Sequence, residues 1–476
     1  MQTLAEIEHF FLQELHNAKD VVIQPFMYQK QNGLVIYLDS LVDEQWLERA
    51  LFDSMMKTKD QHVPLKENIT ALTVEEFKSA EECLPFCWIG YGIVVVESNP
   101  LQFLALKTPL TRTRAIEEPF NERALRGAHE GFIEDLTINI SMVRKTARVE
   151  GLVIHTEIVG QSLKKEVAMM YIDGKADTAI VKNIENKLKA IDEDLISSPG
   201  TLNELLQGSK KSVFPQILYT ERPDTVVGNL MEGRIVLFIE GNPTALILPV
   251  SFFSFMQSVD DYNVHFVLGS FLRVIRMIAL FISILLPSLY ISLVAFHFEV
   301  IPQPLIISVK SSLQNIPYPP LIEALIMEFT IELIREAGLR LPAPIGQTIG
   351  IVGGLVIGEA VVNAGLVSNI MIIVVAVTAI SSFVIPSPEM GSIIRLSRFP
   401  LMLAAATFGL IGVVLSFFVI LMHLIKLESF GTPYLSPIAP FNRKGIKDAI
   451  VRFPTWLIQR HTFTSSTKPL NGDQKR

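Results

Sequence analysis

Charged residues are nearly missing from one long stretch of this 476-residue chain. Residues 272–425 hold seven acidic and seven basic side chains, against 48 acidic and 41 basic in the whole. With 19% charged residues overall, below the roughly 25% of ordinary soluble domains, the deficit excludes a wholly soluble enzyme and a disordered chain. Cysteine is scarce too: Cys83 and Cys87 cannot build a disulfide framework, which suits a reducing compartment. A net charge of −7 gives no footprint for nucleic acid. Residues 1–20 carry Glu6, Glu8 and Glu14 where a signal peptide needs a basic start and an apolar core. The soluble part is therefore expected in the cytoplasm.

Familiar chemical patterns are also missing. There is no Gly-x-Ser-x-Gly elbow, no Gly-x4-Gly-Lys-[Ser/Thr] phosphate loop and no His-Glu-x-x-His. The nine histidines do not cluster, and Cys83-x3-Cys87 lacks partners for zinc. His297 reads as an interfacial polar residue. The expectation is a protein without catalytic residues, metal or cofactor, and not an enzyme.

What is present begins with an internal echo. Residues 33–39 (GLVIYLD) form a strand-like run followed by a helical stretch, and residues 167–173 (VAMMYID) repeat it, with Tyr37 opposite Tyr171 and Asp39 opposite Asp173. Residues 92–106 resemble 234–248; Glu97, Asn99 and Pro100 match Glu240, Asn242 and Pro243, each set reading as a hairpin around an Asn-Pro turn. Two echoes in the same order predict a duplicated α/β subdomain. Between them, 118–148 reads as a helix starting near Pro119. Its charges (Arg123, Arg126, Glu130, Glu134, Asp135, Arg144) fit either solvated i,i+4 pairs such as Arg126–Glu130 or a polar interface.

The apolar part predicts about four spans, at 272–297, 344–363, 369–387 and 399–425, with Pro287 kinking the first and Arg395 and Arg398 left outside. Arg273 and Arg276 mark a cytoplasmic end, and the tail 427–476, with eight basic and three acidic residues, places the C-terminus on the same side. Residues 321–341 set Glu328, Glu332, Arg335 and Glu336 on one helical stripe beside Leu325, Phe329 and Leu333; such a helix lies at an interface, re-enters, lines water or packs inward. Gly346, Gly350, Gly354 and Gly358 form a bare ridge for close backbone packing. Another face carries Thr348, Val352, Leu355, Val356, Glu359 and Asn363, which around a ring would give a dewetted constriction above carboxylates. Glu359 at a span end, near headgroups, is the alternative. The resulting division is 1–110 and 111–262 for the cytosolic subdomains, 263–426 for the membrane part and 427–476 for a basic tail.

Several motifs together resemble the A subunits of GerA-type spore germinant receptors. They are residues 323–383, Glu221-Arg222-Pro223-Asp224, Asp260-Asp261-Tyr262, residues 429–434 (SFGTPY), and the series Glu118-Pro119, Arg126-Gly127, Glu130-Gly131-Phe132, Asn139 and Arg144. The likeness runs from about residue 30 to 460. It implies the inner membrane of a spore, an integral-membrane B subunit and a lipoprotein C subunit as partners, and nutrient sensing. It also implies a homo-oligomeric ring, a pentamer being one candidate, that forms a nutrient-gated cation channel in membrane lipid. Two departures stand out: Glu359 where the family often has Gln, and Asn263 where a second Tyr is usual. A secondary transporter or a non-conducting scaffold are the competing readings. Transporters commonly repeat within the membrane part, whereas the repeat here is in the soluble part.

Overall fold

A computed structural model describes residues 3–454 and 456, except 30, 58–68, 70–73, 99, 109–118, 120–121, 123–126, 163, 192–197, 210–211, 315, 343–344, 347–353, 355–357 and 443–444. The N-terminal region holds two five-stranded sheets. The first takes β1 (Val21–Tyr28), β2 (Gln31–Leu38), β3 (Val74–Phe77), β4 (Tyr91–Val96) and β5 (Gln102–Lys107) in the order β1-β2-β4-β5-β3. The second takes β6 (Leu152–Val159), β7 (Lys165–Ile172), β8 (Leu218–Thr220), β9 (Ile235–Ile239) and β10 (Ala245–Leu248) in the order β6-β7-β9-β10-β8. The two orders are the same once numbered within each sheet. The echoed runs occupy matching places: 33–38 and 167–172 fall in the second strands, β2 and β7. The Asn-Pro echoes join β4 to β5 and β9 to β10, although Asn99 lies outside the described residues. All ladders are antiparallel, so the α/β character comes from helices set between antiparallel strands.

Period-two alternation decides what each strand face meets. Leu34, Ile36 and Leu38 face one core with Ile93 and Val95, while Val35 and Tyr37 face another with Val94 and Val96. In the second sheet Val167, Met169, Leu237 and Ile239 pack under helices Thr178–Lys189 and Pro199–Leu206. Ala168, Met170, Val236 and Phe238 face a larger core that also takes in Leu280, Met390, Ile394 and Leu424. The second subdomain thus shares a core with the base of the apolar helices. The tail joins it there: Ser429 accepts from Val250 N–H at 3.1 Å, and Phe252 N–H donates to the Tyr434 carbonyl at 2.8 Å.

The helix expected from Pro119 begins instead at Leu136, capped by Asp135, whose side chain accepts from Ile138 N–H at 3.1 Å. The approach is irregular, with Gly127 at φ 117° and buried Asn139 bonding Ile133 through both its amide atoms. Glu130 is exposed on this non-helical segment, so the i,i+4 reading does not apply; Arg123, Arg126 and Glu118 lie outside the described residues. Arg144 forms the polar interface between subdomains: its guanidinium reaches both Asp20 oxygens at 2.7 and 2.8 Å and stacks on Trp88.

Among the described residues two helices are long and apolar enough to cross a membrane, Phe266–Ala295 and Pro388–Lys426, and a shorter apolar one covers Asn369–Phe383. The expected single span over 399–425 is corrected by Gly409, whose φ of 60° and ψ of −143° break the 39-residue element. Arg398 reaches Ser283 at 2.9 Å, and the Phe417 ring lies 6.3 Å from that of Phe281. On a straight helix residues 398 and 417 would be about 28 Å apart, so the chain reverses. It forms a hairpin with its tip against Phe296 and His297, and a Cβ at residue 409 would meet His297 Nε2 at 2.9 Å.

Candidate functional site

The junction between the second subdomain and the first apolar helix is built on a buried carboxylate. Asp261 is the second residue of a short turn of helix, Asp260–Asn263, and has no solvent exposure. Its Oδ2 accepts from Arg276 Nη1 at 2.6 Å, Arg273 Nε at 3.1 Å and Ser258 N–H at 3.2 Å. Arg273 also reaches Asp448 Oδ1 at 2.9 Å, and the Tyr262 hydroxyl donates to Asp448 Oδ2 at 2.9 Å. Arg452 binds the backbone carbonyls of Asp261, Tyr262 and Val264, and the guanidiniums of Arg273 and Arg452 each stack on the Tyr262 ring. Gly269 makes the approach possible, since a Cβ there would stand 2.7 Å from the Asp261 carbonyl. Three segments are clasped together: the subdomain exit, the start of the apolar helix that follows it, and the tail, 175 positions on from Arg273 at Asp448. Arg273 and Arg276 are thus neutralised inside the protein, which weakens their reading as headgroup-facing markers of a cytoplasmic end.

A line of polar contacts runs up the apolar helices. Helix Pro320–Arg340 carries the predicted charged stripe. Glu328 pairs with Arg398 at 2.7 Å, both 5% exposed or less, and Arg398 continues to the Ser283 hydroxyl. Arg398 was expected outside the membrane helices; it is corrected to their interior, where an opposite charge 70 positions away holds it. Arg335 bonds Ser382 at 3.1 Å and stacks on Phe383, while Glu332 bridges Arg335 and Arg395. Glu336 points outward to Arg340. Further along, Glu323 bonds Ser368, which bonds Tyr290. Glu323 and Arg335 meet Ser368 and Ser382, whereas Glu323 and Glu328 lie at the Tyr290 and Ser283 levels, so this helix runs parallel to Asn369–Phe383 and antiparallel to Phe266–Ala295.

Of the pore-face candidates, Thr348, Val352, Leu355 and Val356 lie outside the described residues, as does Gly350. Glu359 and Asn363 are exposed, one turn apart on the helical segment 358–363. Gly354 is exposed and a Cβ there would meet nothing within 4 Å, as at Gly358; a Cβ on Gly346 would meet the Gly338 carbonyl at 2.9 Å. Among the motif residues of the N-terminal region, Arg222 is buried, forks onto Asp224 at 2.6 and 3.0 Å, and donates to the Glu122 and Ala128 carbonyls. Glu221 receives Phe132 N–H on its backbone carbonyl at 2.8 Å. This motif therefore fastens the irregular interdomain segment to the second subdomain. Glu122 sits in it, accepting from the Thr220 hydroxyl at 2.6 Å and Glu221 N–H at 3.1 Å, and burial raises its carboxyl above the usual range against those bonds. Cys83 and Cys87 are buried and reduced, and burial raises both thiols, Cys83 to about 12.

The family described as Bacillus/Clostridium GerA spore germination protein matches residues 9–463. This chain belongs to the GerA family. It is 39% identical over 430 residues to Spore germination protein A1 of Bacillus subtilis (strain 168), covering 89% of this chain and 88% of that protein. It is 37% identical over 454 residues to the uncharacterized membrane protein YfkQ of the same organism, covering 94% and 88%. The crystal structure of the N-terminal domain of the A subunit of the Bacillus megaterium spore germinant receptor GerK3 is 26% identical, with a TM-score of 0.41 over 52% of this chain and 95% of that one. Within this GerA chain, Glu323, Arg452 and Asp448 were not singled out from the sequence. Local spacing carried no signal for them, because their partners lie on other elements.

Proposed function

We propose that this chain is the A subunit of a nutrient germinant receptor, and that it acts in spore germination as a receptor subunit rather than an enzyme. The observation that carries this is the family match over residues 9–463, which takes in both sheets, the clasp and the apolar helices. The names of the relatives, including Spore germination protein B1 at 38% identity and Spore germination protein KA at 36%, support it. The apolar helices support a place in a membrane, for which we take the inner spore membrane. The B and C receptor subunits are the proposed partners.

The proposed mechanism is a homo-oligomeric, nutrient-gated cation channel. The pore face is Thr348, Val352, Leu355, Val356, Glu359 and Asn363, with Gly346, Gly350, Gly354 and Gly358 packing helices. The exposure of Glu359 and Asn363 in a single chain suits a face turned toward water or neighbouring copies. Helix directions support six passes in place of four: 266–295, 320–340, a return between 341 and 368 that the parallel helices 320–340 and 369–383 require, 369–383, 388–408 and 410–426. An even count again leaves both termini on one side. Nutrient bound by a partner would pull on the clasp, which ties the first pass to the cytosolic domains. The test is cation flux from liposomes holding the purified complex, with and without nutrient. Nutrient-dependent flux is expected, and an assembled complex that binds nutrient but passes no ion would favour the scaffold.

A further inference from the structure

Glu323 has no solvent exposure and lies where Ala324, Met327, Val367 and Met371 pack together. Its two oxygens are used unequally. Oε1 accepts from the Ser368 N–H at 2.5 Å and from the Ser368 hydroxyl; Oε2 is buried and receives nothing. Ser368 Oγ also accepts from Met371 N–H at 3.2 Å and lies 3.1 Å from the Tyr290 hydroxyl. Its own proton is committed to Glu323, so Tyr290 is the donor to Ser368. One oxygen with two donors and one with none leaves Oε2 free to carry a proton, with Oε1 as carbonyl. Asp261 and Glu328 also leave one oxygen without a donor, but both face an arginine, which Glu323 does not.

No Lys, Arg or His among the described residues pairs with Glu323. On the elements packed around it, Glu328 is taken by Arg398, Lys310 is exposed and lies over Phe298, and Glu359 is exposed. Tyr290 is the titratable group in direct line with it. Ser368 caps helix Asn369–Phe383, and that N-terminus favours an anion. Stripping a lone carboxylate of all water nonetheless costs more than one helix end returns.

We propose that Glu323 is a proton-binding site of the membrane part. It carries a proton in this closed packing and gives it up when helix Pro320–Arg340 parts from Asn369–Phe383 and water enters. The Oε2–H bond breaks, the proton passes to a water molecule, and the carboxylate stays behind with its electron pair. The Tyr290–Ser368 chain holds the acid in place and needs no proton of its own to move.

The test is thermal unfolding of the purified full chain in detergent from about pH 5 to about pH 9, wild type against Glu323→Gln. Glutamine keeps a carbonyl for both Ser368 donors and mimics the neutral acid. Stability that needs the proton is kept at acid pH and lost as pH rises. The two proteins are therefore expected to melt together up to about pH 7, with wild type falling below the variant at higher pH. A wild type more stable than Glu323→Gln at neutral pH, with the gap closing on acidification, would overturn the proposal. Should the variant not fold, dicyclohexylcarbodiimide, which modifies protonated carboxyls in apolar surroundings, reports on wild type alone. Peptide mass spectrometry is expected to find Glu323 modified at about pH 7 and less so at alkaline pH. Modification at about pH 5 but not at about pH 7 would refute it.

Discussion

Asp261 shows how one side chain can hold three segments. Its partners Arg273 and Arg276 are buried with it, so removing the anion leaves two guanidiniums without water or counter-charge. Asp261→Asn, nearly equal in volume, is expected to cost about 3–5 kcal/mol and to lower both the melting temperature and the amount of chain in the membrane. Tyr262→Phe removes one hydroxyl bond to Asp448 and is expected to cost about 0.5–1.5 kcal/mol. Equal losses for the two would mean that the charge is not what matters. Glu122 gives a second residue-scale prediction. Its folded pKa is raised, so its contribution is fully present below the ordinary carboxylate range and is lost as pH rises through the folded value. Glu122→Gln can keep both acceptor bonds on one oxygen. Its melting temperature relative to wild type should climb between about pH 5 and about pH 8. A flat difference across that range would show that Glu122 titrates normally.

Among elements, the Pro388–Lys426 hairpin turns on a single residue. Gly409 occupies a backbone region open essentially to glycine and touches Phe296 and His297 at the end of the first apolar helix. Gly409→Leu adds both backbone strain and a side chain with no room. Lower membrane levels are expected, with a loss of at least about 1–3 kcal/mol from the backbone alone. The hairpin itself is checked by cysteines placed at 281 and 417, whose native rings are 6.3 Å apart. A short bis-thiol reagent should join them within one chain. Failure to join them, in a protein where cysteines at 283 and 398 do react, would favour a straight helix.

Taken whole, the molecule places its second sheet directly on the helical part, through the shared core and the clasp, and ties the first sheet to it through Arg144 and Asp20. A pull on either subdomain therefore has a stiff route to the first apolar helix. The channel reading makes its own prediction here. Val352→Ser or Val356→Ser lowers the dewetting barrier of the closed pore and is expected to release cations without nutrient. Glu359→Gln should leave gating intact and weaken cation preference. Cation release from spores carrying each substitution at matched protein level reads both effects. Serine variants that stay dormant and germinate normally would move the gate to another helix.

The sequence by itself determined the local and periodic features. Short unbroken apolar runs bounded by turns set the strands β2, β4, β7 and β9 and made the duplication visible, because such a run and its turn are properties of a few adjacent residues. Long uncharged runs announced the apolar helices, and residues 323–383 and Glu221-Arg222-Pro223-Asp224 announced the family. The tertiary structure alone decided which charges meet. Arg398 and Glu328 are 70 residues apart, and Arg273 and Asp448 are 175 apart. No spacing rule reaches that far. The break at Gly409 was hidden for a related reason: a glycine in an apolar run is compatible with a packed helix or a reversal. Only the contacts its neighbours make on the returning chain choose between them.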